Sequence, residues 1–447
     1  MKKITLIGAG SSAFARQLLS ALFSYDSVKD CLFFLHDLDE KRLNFTYDFT
    51  KKLILQEKTK AQVERSLDLN ESLKNSDFVI TCLAKGGLEA WEYDINIPAS
   101  FNIAQEAGDT MGIGAIFRAA RDLPVLLNIA KKMQYLCPKA ILLNYSNPLA
   151  PIIKALSENS STKVYGLCYG VHYTLAQILG FLGLGTWIYH PSENQKRHDI
   201  VNSKLKSELK YDFAGINHMT WITKLELNGK DLYPDLRALV NDKKAKEEDF
   251  IRLEILKYFD YFSTINHWHM SDLVPYFKKN PKLTKHFLPK RWNLLELEKQ
   301  KLKEMTSVIQ AEISGDKKIE VKRNIFNAPK IINAIINNEK TRVNVNVLNK
   351  NFVPNLPQNS CVEIPALVDK NGIAPSTCEP LPLQCASLNK TNIIFQEMLC
   401  EGVLKKDLSL LKQALYFDPL SSAICTLDDL STLFDMMHEK QKKFLEF

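Results

Sequence analysis

The first 40 residues restrict the fold more than any other stretch of the chain. Lys3 to Ile7 is a short apolar strand. Gly8-Ala-Gly10-Ser-Ser-Ala13 is a turn, and residues 13–24 (AFARQLLSALFS) carry apolar groups at helical spacing. Residues 31–35 (CLFFL) read as a second strand, followed by Asp37. Strand, glycine turn, helix and strand make a β-α-β unit, and parallel strands need further strands of the same kind beside them. The turn also carries a chemistry. Gly8 permits the tight bend, Gly10 lets a pyrophosphate approach the backbone, and Ala13 keeps helix and strand close. Unpaired N–H groups at the helix N-terminus suit phosphates. Asp37 is placed to accept from a ribose 2′-OH, which favours NAD over NADP, although it comes later than the usual spacing of about 20 residues.

The alternation continues. Residues 39–56 read as a helix with acids in its first turn, 77–83 as a strand, and 114–135 as a helix containing Pro124. Residues 140–143 and 163–167 are strands ending at Asn144 and Cys168. This order predicts an α/β fold, with an N-terminal Rossmann-type, doubly wound parallel sheet. The character changes near residue 200. A hairpin with Asn228-Gly229 at its turn, charged helices over 243–260 and 293–313, strand-like 341–375 and a helical C-terminus follow. The predicted division is therefore 1–200 for a dinucleotide-binding domain and 201–447 for an α+β domain serving substrate, metal and oligomerisation.

Composition closes off other classes. No apolar run approaches the length of a membrane span, and the N-terminus lacks the pattern of a signal peptide. Nine scattered cysteines without a CxxC pair point to a reduced, cytoplasmic protein. A net charge of +7 on 447 residues is too dilute to imply nucleic acid. It is also uneven, because residues 278–291 hold six Lys/Arg and no acid.

Several segments offer chemistry. Cys168 lies at the C-terminal end of a strand, where ligands meet a parallel sheet, and His218 lies in GINHMTW; thiolate and imidazole together suit a soft or borderline divalent ion. Asp109 and Arg118 share a glycine-rich segment, and the Arg fork suits carboxylate, phosphate or vicinal hydroxyls. Asn144 and Asn147 close a strand, where amides can hold sugar hydroxyls or simply form the turn. His267, His269, Asp272 and Tyr276 are a run of possible acid/base groups.

Taken together, GAGS, DLDEKRL, GGLEAWEYDI, GDTMGIGAIFRAARDLPVLL, NYSNPLA, GLCYGVHY, GINHMTW and NLPQNSCVEIPALVDKNGIAP resemble family 4 glycoside hydrolases, from residue 8 to the end. The resemblance implies NAD and a divalent metal, usually Mn²⁺, as cofactors, a small-molecule glycoside as substrate, and a homodimer or homotetramer. It implies that Cys168 and His218 bind the ion, and that Gly8, Gly10, Ser11 and Asp37 line the NAD site. Asp109, Arg118, Asn144 and Asn147 would contact the sugar, with Asn147 also near the nicotinamide. The family's reaction differs from the two-carboxylate route. Hydride leaves sugar C3, the C2 proton becomes acidic and is removed, and the C1 substituent is eliminated. Water then adds and the hydride returns. The substrate expected is an α-hexoside such as an α-galactoside, α-glucoside or α-uronide.

Two departures touch the reacting centre. The residue after the cysteine is Tyr169, where relatives on unphosphorylated sugars carry His and relatives on phosphosugars carry Asp or Asn. The usual tyrosine base is replaced by Leu273, which leaves Asp272, Tyr276 and Tyr169 as the expected catalytic groups. These changes keep two other readings open: an NAD-dependent dehydrogenase of a sugar or 2-hydroxy acid, and a homologue that binds NAD and sugar without turnover.

Overall fold

The computed structural model describes residues 1–184 and 209–446, and its strands join into one twelve-stranded sheet. Six of them are parallel: β1 (Lys3–Ile7), β2 (Leu32–His36), β3 (Gln62–Ser66), β4 (Phe78–Thr81), β5 (Ile141–Asn144) and β6 (Lys163–Gly166). Their order is 3-2-1-4-5-6, that of the doubly wound dinucleotide fold. The strand order reverses between β1 and β4, and a ligand crevice is expected beyond the carboxyl ends there.

The remaining strands extend this sheet in antiparallel fashion. They are β7 (Leu209–Ile216), β8 (Met219–Leu227), β9 (Lys230–Asp231), β10 (Thr341–Leu348), β11 (Cys361–Asp369) and β12 (Gly372–Pro375). β10 joins the parallel half through the pair Asn346–Gly166, and β7 joins β11 through Glu363–Gly215. The division expected at residue 200 lies outside the described residues.

Local chemistry explains most elements. Helix Glu40–Gln56 starts where the Asp39 carboxylate accepts from Arg42 N–H. Asn228 and Gly229 both take positive φ, 53° and 79°, as a two-residue hairpin turn requires. A second, longer hairpin lay hidden in the sequence: β7 and β8 pair up to Ile216–Met219, so Asn217 and His218 form its turn. β3 (QVERS) was also not anticipated. It is a largely exposed edge strand without an apolar face to betray it.

Candidate functional site

At the cofactor end, Gly8 has φ +87°, and a Cβ there would lie 2.1 Å from the Cys82 carbonyl oxygen, so β1 turns hard against the end of β4. Asp37, just past β2, accepts from Gly10 N–H at 2.7 Å and from Asp39 N–H at 3.0 Å. A Cβ on Gly10 would collide with that carboxylate at 2.7 Å. Helix Ser12–Leu22 then begins at exposed Ser11 with no side chain capping it. Its first-turn N–H groups therefore suit an anion. The glycine cradle, the uncapped helix and the acid fit a dinucleotide.

The same strand ends carry the second cluster. Cys168 follows β6 and His218 sits in the β7–β8 turn, yet Cys168 Sγ and His218 Nδ1 are 3.5 Å apart. With metal–ligand legs of roughly 2.3 and 2.1 Å, adjacent corners of a coordination shell are about 3.1–3.6 Å apart. The protonation chemistry agrees. Burial pushes His218 down to about 3, with His269 adding to the effect and Asp109 opposing it, so its imidazole is neutral and has a lone pair for a metal. Burial, then Glu363, pushes the Cys168 thiol up to about 12, while hydrogen bonds from Gly170 N–H and Asn217 pull the other way. A divalent ion deprotonates a thiol it coordinates. Thiol and imidazole thus fit such an ion. Among the described residues no group of three or more His, Cys, Asp or Glu is arranged for a metal.

Around this pair stand His269, Asp109 and Asn147. The His269 ring meets His218 edge to face at 4.8 Å and lies 5.0 Å from Trp292. Asn266 caps its helix, His267–Leu273, by accepting from His269 N–H at 2.9 Å. Asn147 donates to Asp109 at 2.9 Å. Burial raises the Asp109 carboxyl, but His269, Arg118, His218 and the Asn147 hydrogen bond outweigh it and hold it below the usual carboxylate range. Arg118 donates to Asp122 at 2.5 Å and to the Leu83 carbonyl at 3.4 Å, and Leu83 N–H in turn reaches Ser146 Oγ at 2.9 Å. These bonds tie the glycine-turn side of the crevice to the Asn147 side. Asp109, Arg118, Asn147 and Tyr169 all keep some exposed surface, whereas Cys168, His218 and His269 are 5–7% exposed.

Three expectations need correction. Asp272 is expected as a base, but one oxygen accepts from Glu106 N–H at 2.9 Å and Ala107 N–H at 3.4 Å, and the other pairs with Lys278. Lys278 is itself 1% exposed and donates to the Ala104 carbonyl at 2.7 Å; Arg291 pairs with Glu106 and binds the carbonyls of Ala104 and Gln105. Every charge in this cluster is matched, so Asp272 is a strut under the loop that leads to Asp109. Tyr276 is 40% exposed and packs on Phe259 and Phe277, at the surface. Asn144 is fully buried, and its amide is spent on Thr81, Ser146 N–H and the Ser146 carbonyl. It builds the turn that presents Asn147.

Some neighbours were only weakly signalled by residue pattern. His269 stood in a run of four candidates with no means of ranking them. Glu363 was missed, although a single acid inside the apolar run CVEIPALV was a signal. It is 1% exposed and accepts from Thr220 Oγ1 at 2.6 Å and Asn217 Nδ2 at 3.3 Å, on either side of His218.

Fold and site together define an α/β enzyme with a dinucleotide turn and a thiol–imidazole pair at neighbouring strand ends. The family 4 glycosyl hydrolase model matches residues 3–182, and the model of that family's C-terminal domain matches residues 213–421. The chain belongs to family 4 of the glycosyl hydrolases. It is 32% identical over 442 residues to an alpha-galactosidase of Bacillus subtilis, covering 97% of each chain. It is 27% identical to an alpha-galacturonidase of Thermoanaerobacter italicus, covering 99% of this chain and 97% of the relative. Among solved structures, a 6-phospho-alpha-glucosidase from gut microorganisms in complex with NAD and Mn²⁺ superimposes with a TM-score of 0.80 at 19% identity, covering 99% of both chains.

Proposed function

We propose that this glycosyl hydrolase cleaves an unphosphorylated α-galactoside, with NAD and Mn²⁺ as cofactors. The carrying observation is the Cys168–His218 pair at 3.5 Å, set among Asp109, Asn147 and His269 beside the glycine turn. Bound NAD⁺ supplies reversible hydride exchange with the sugar, and the divalent ion supplies Lewis acidity next to the oxidised carbon. Gly8, Gly10, Ser11 and Asp37 hold the dinucleotide, and Cys168 with His218 holds the ion. With Cys168 and His218 as its protein donors, the ion would keep coordination positions for substrate oxygens, as catalytic metal sites do. Asp109, held ionised, accepts from sugar hydroxyls, while Asn147 and Arg118 donate to the ring substituents.

Of the three expected catalytic groups, Asp272, Tyr276 and Tyr169, only Tyr169 adjoins the pair, directly following Cys168. Burial foremost, then the Cys168 thiol, raises its pKa, so it stays a phenol and can donate a hydrogen bond to the departing oxygen. The inward cations of the 278–291 run, Lys278 and Arg291, are spent on Asp272 and Glu106, which leaves them no charge to offer a uronate. This favours a neutral hexoside. Residues 1–200 then serve the dinucleotide and 201–447 the substrate, metal and homodimer or homotetramer contacts. None of the described helices is long and apolar enough to cross a membrane, and nine free thiols suit the reducing cytoplasm.

The test is a panel of p-nitrophenyl α-galactoside, α-glucoside, α-galacturonide and α-glucuronide with NAD⁺, Mn²⁺ and a reductant. Fastest release from the galactoside is expected. Faster release from a uronide would replace the substrate assignment. No release from any of them, with NAD⁺ still bound, would leave a binding protein.

A further inference from the structure

The strands that bear Cys168 and His218 do not touch each other. They are joined by one row of paired residues across four strands: Gly166 of β6 with Asn346 of β10, Asn346 with Glu363 of β11, and Glu363 with Gly215 of β7. Gly166 lies two residues before Cys168 and Gly215 three before His218. Both outer positions need to be small, because a Cβ on Gly166 would meet Asn346 Cβ at 2.9 Å and one on Gly215 the Met219 carbonyl at 2.8 Å.

Glu363 occupies this row as a buried carboxyl group without a cationic partner among the described residues. Its Oε2 takes Thr220 Oγ1 at 2.6 Å and Asn217 Nδ2 at 3.3 Å, thereby gripping the His218 turn from both sides. Asn217 directly precedes His218, so its grip on the carboxylate acts on the backbone that carries the imidazole. Yet Glu363 Oε1, Asn217 Oδ1 and Asn346 Oδ1 are all buried without a hydrogen-bond partner. Burial pushes the Glu363 carboxyl up, with the Thr220, Asn217 and Asn346 hydrogen bonds opposing, so its charged form and its unmatched acceptors are costly unless something positive stands nearby. A divalent ion held by a single thiolate keeps a net positive charge. Outer-shell groups of this kind orient metal ligands and tune affinity.

From this row we infer that Glu363 is a positioning residue for the metal pair: it fixes the Cys168–His218 separation through Asn217 and Thr220, and its charge favours a divalent ion between them. The inference rests on the metal reading above. Glu363→Gln keeps the shape and removes the charge. The full-length, metal-stripped protein is titrated with Mn²⁺, counting free ion by electron paramagnetic resonance, and with Co²⁺, following the thiolate-to-cobalt absorption. Glu363→Gln is expected to melt like wild type without metal, to bind Mn²⁺ about 10–100-fold more weakly, and to give the cobalt–thiolate band only at correspondingly higher Co²⁺. Glu363→Asp is expected to recover part of the affinity. A folded Glu363→Gln that binds Mn²⁺ as tightly as wild type overturns the inference.

If Glu363→Gln does not fold, Thr220→Val serves. It removes one grip and keeps the charge, and is expected to weaken Mn²⁺ several-fold; unchanged affinity overturns the inference. Failure of the underlying reading looks different. In that case wild type does not bind Mn²⁺ one to one, or Cys168→Ser and His218→Asn bind it as wild type does.

Discussion

Two clusters of titratable side chains lie close together in this molecule and have opposite characters. In one, Lys278, Asp272, Glu106 and Arg291 pair their charges with one another and with backbone groups of residues 104–107. In the other, a protonated thiol, two neutral imidazoles and an ionised carboxylate gather without an ion pair to join them. The first is complete as it stands, and a ligand has nothing left to bind. The second is the cluster that, under the proposed function, a divalent ion would complete. The contrast between saturated and unsaturated groups separates scaffold from site here, where residue type alone does not.

The largest effect that would sharpen this contrast is loss of a metal donor. Cys168→Ser or His218→Asn is expected to lower glycoside turnover by ~10³-fold or more, because Lewis acidity supplies several kcal/mol to the transition state. The melting temperature of the metal-free protein should barely change. Breaking the closed cluster should do the reverse. Lys278→Met strands Asp272 and part of Glu106 in the interior, and urea unfolding is expected to show a loss of about 3–5 kcal/mol. Turnover per folded molecule should be largely retained; its collapse in a folded Lys278→Met protein would erase the distinction between the two clusters.

Smaller effects follow at the edges. Asp37→Ala removes the acceptor of Gly10 N–H and is expected to weaken NAD⁺ binding roughly 10–100-fold, the range of a charged hydrogen bond, as measured by calorimetry. His269 offers a pH test. Burial pushes it down to about 4 from the usual 6.5. As pH falls below 6.5 the unfolded chain takes up this proton first, so metal-free protein should lose stability between pH 6.5 and about 4. His269→Gln should flatten part of that slope in urea melts. Tyr276→Phe, at the surface, should move neither activity nor stability by more than ~0.5 kcal/mol.

The parallel half of the fold was legible because it is encoded locally. Gly8, Gly10 and the apolar runs at strand and helix spacing state it within 40 residues. The pairing of Cys168 with His218 was expected from family resemblance alone; the structure brings the two side chains to 3.5 Å, a contact that 50 residues of separation conceal. Asp272 was misread for a physical reason. Whether a carboxylate is a base depends on what occupies its lone pairs, and its partners include Glu106 N–H, 166 residues away. Asn144 was misassigned in the same way: its amide looked available for sugar until Thr81 and Ser146 were seen to use it. The long hairpin through Asn217 and His218 escaped notice because its turn carries no glycine.

The most direct test of the open cluster is one cuvette followed at two wavelengths. Metal-stripped protein with NAD⁺ and p-nitrophenyl α-galactoside is titrated with Mn²⁺, while p-nitrophenol release and NADH absorbance are recorded together. The expected result is release that rises with Mn²⁺ to saturation at one ion per chain, with no net NADH, because each cycle returns its hydride. Release that ignores Mn²⁺, or NADH that accumulates without release, would contradict it.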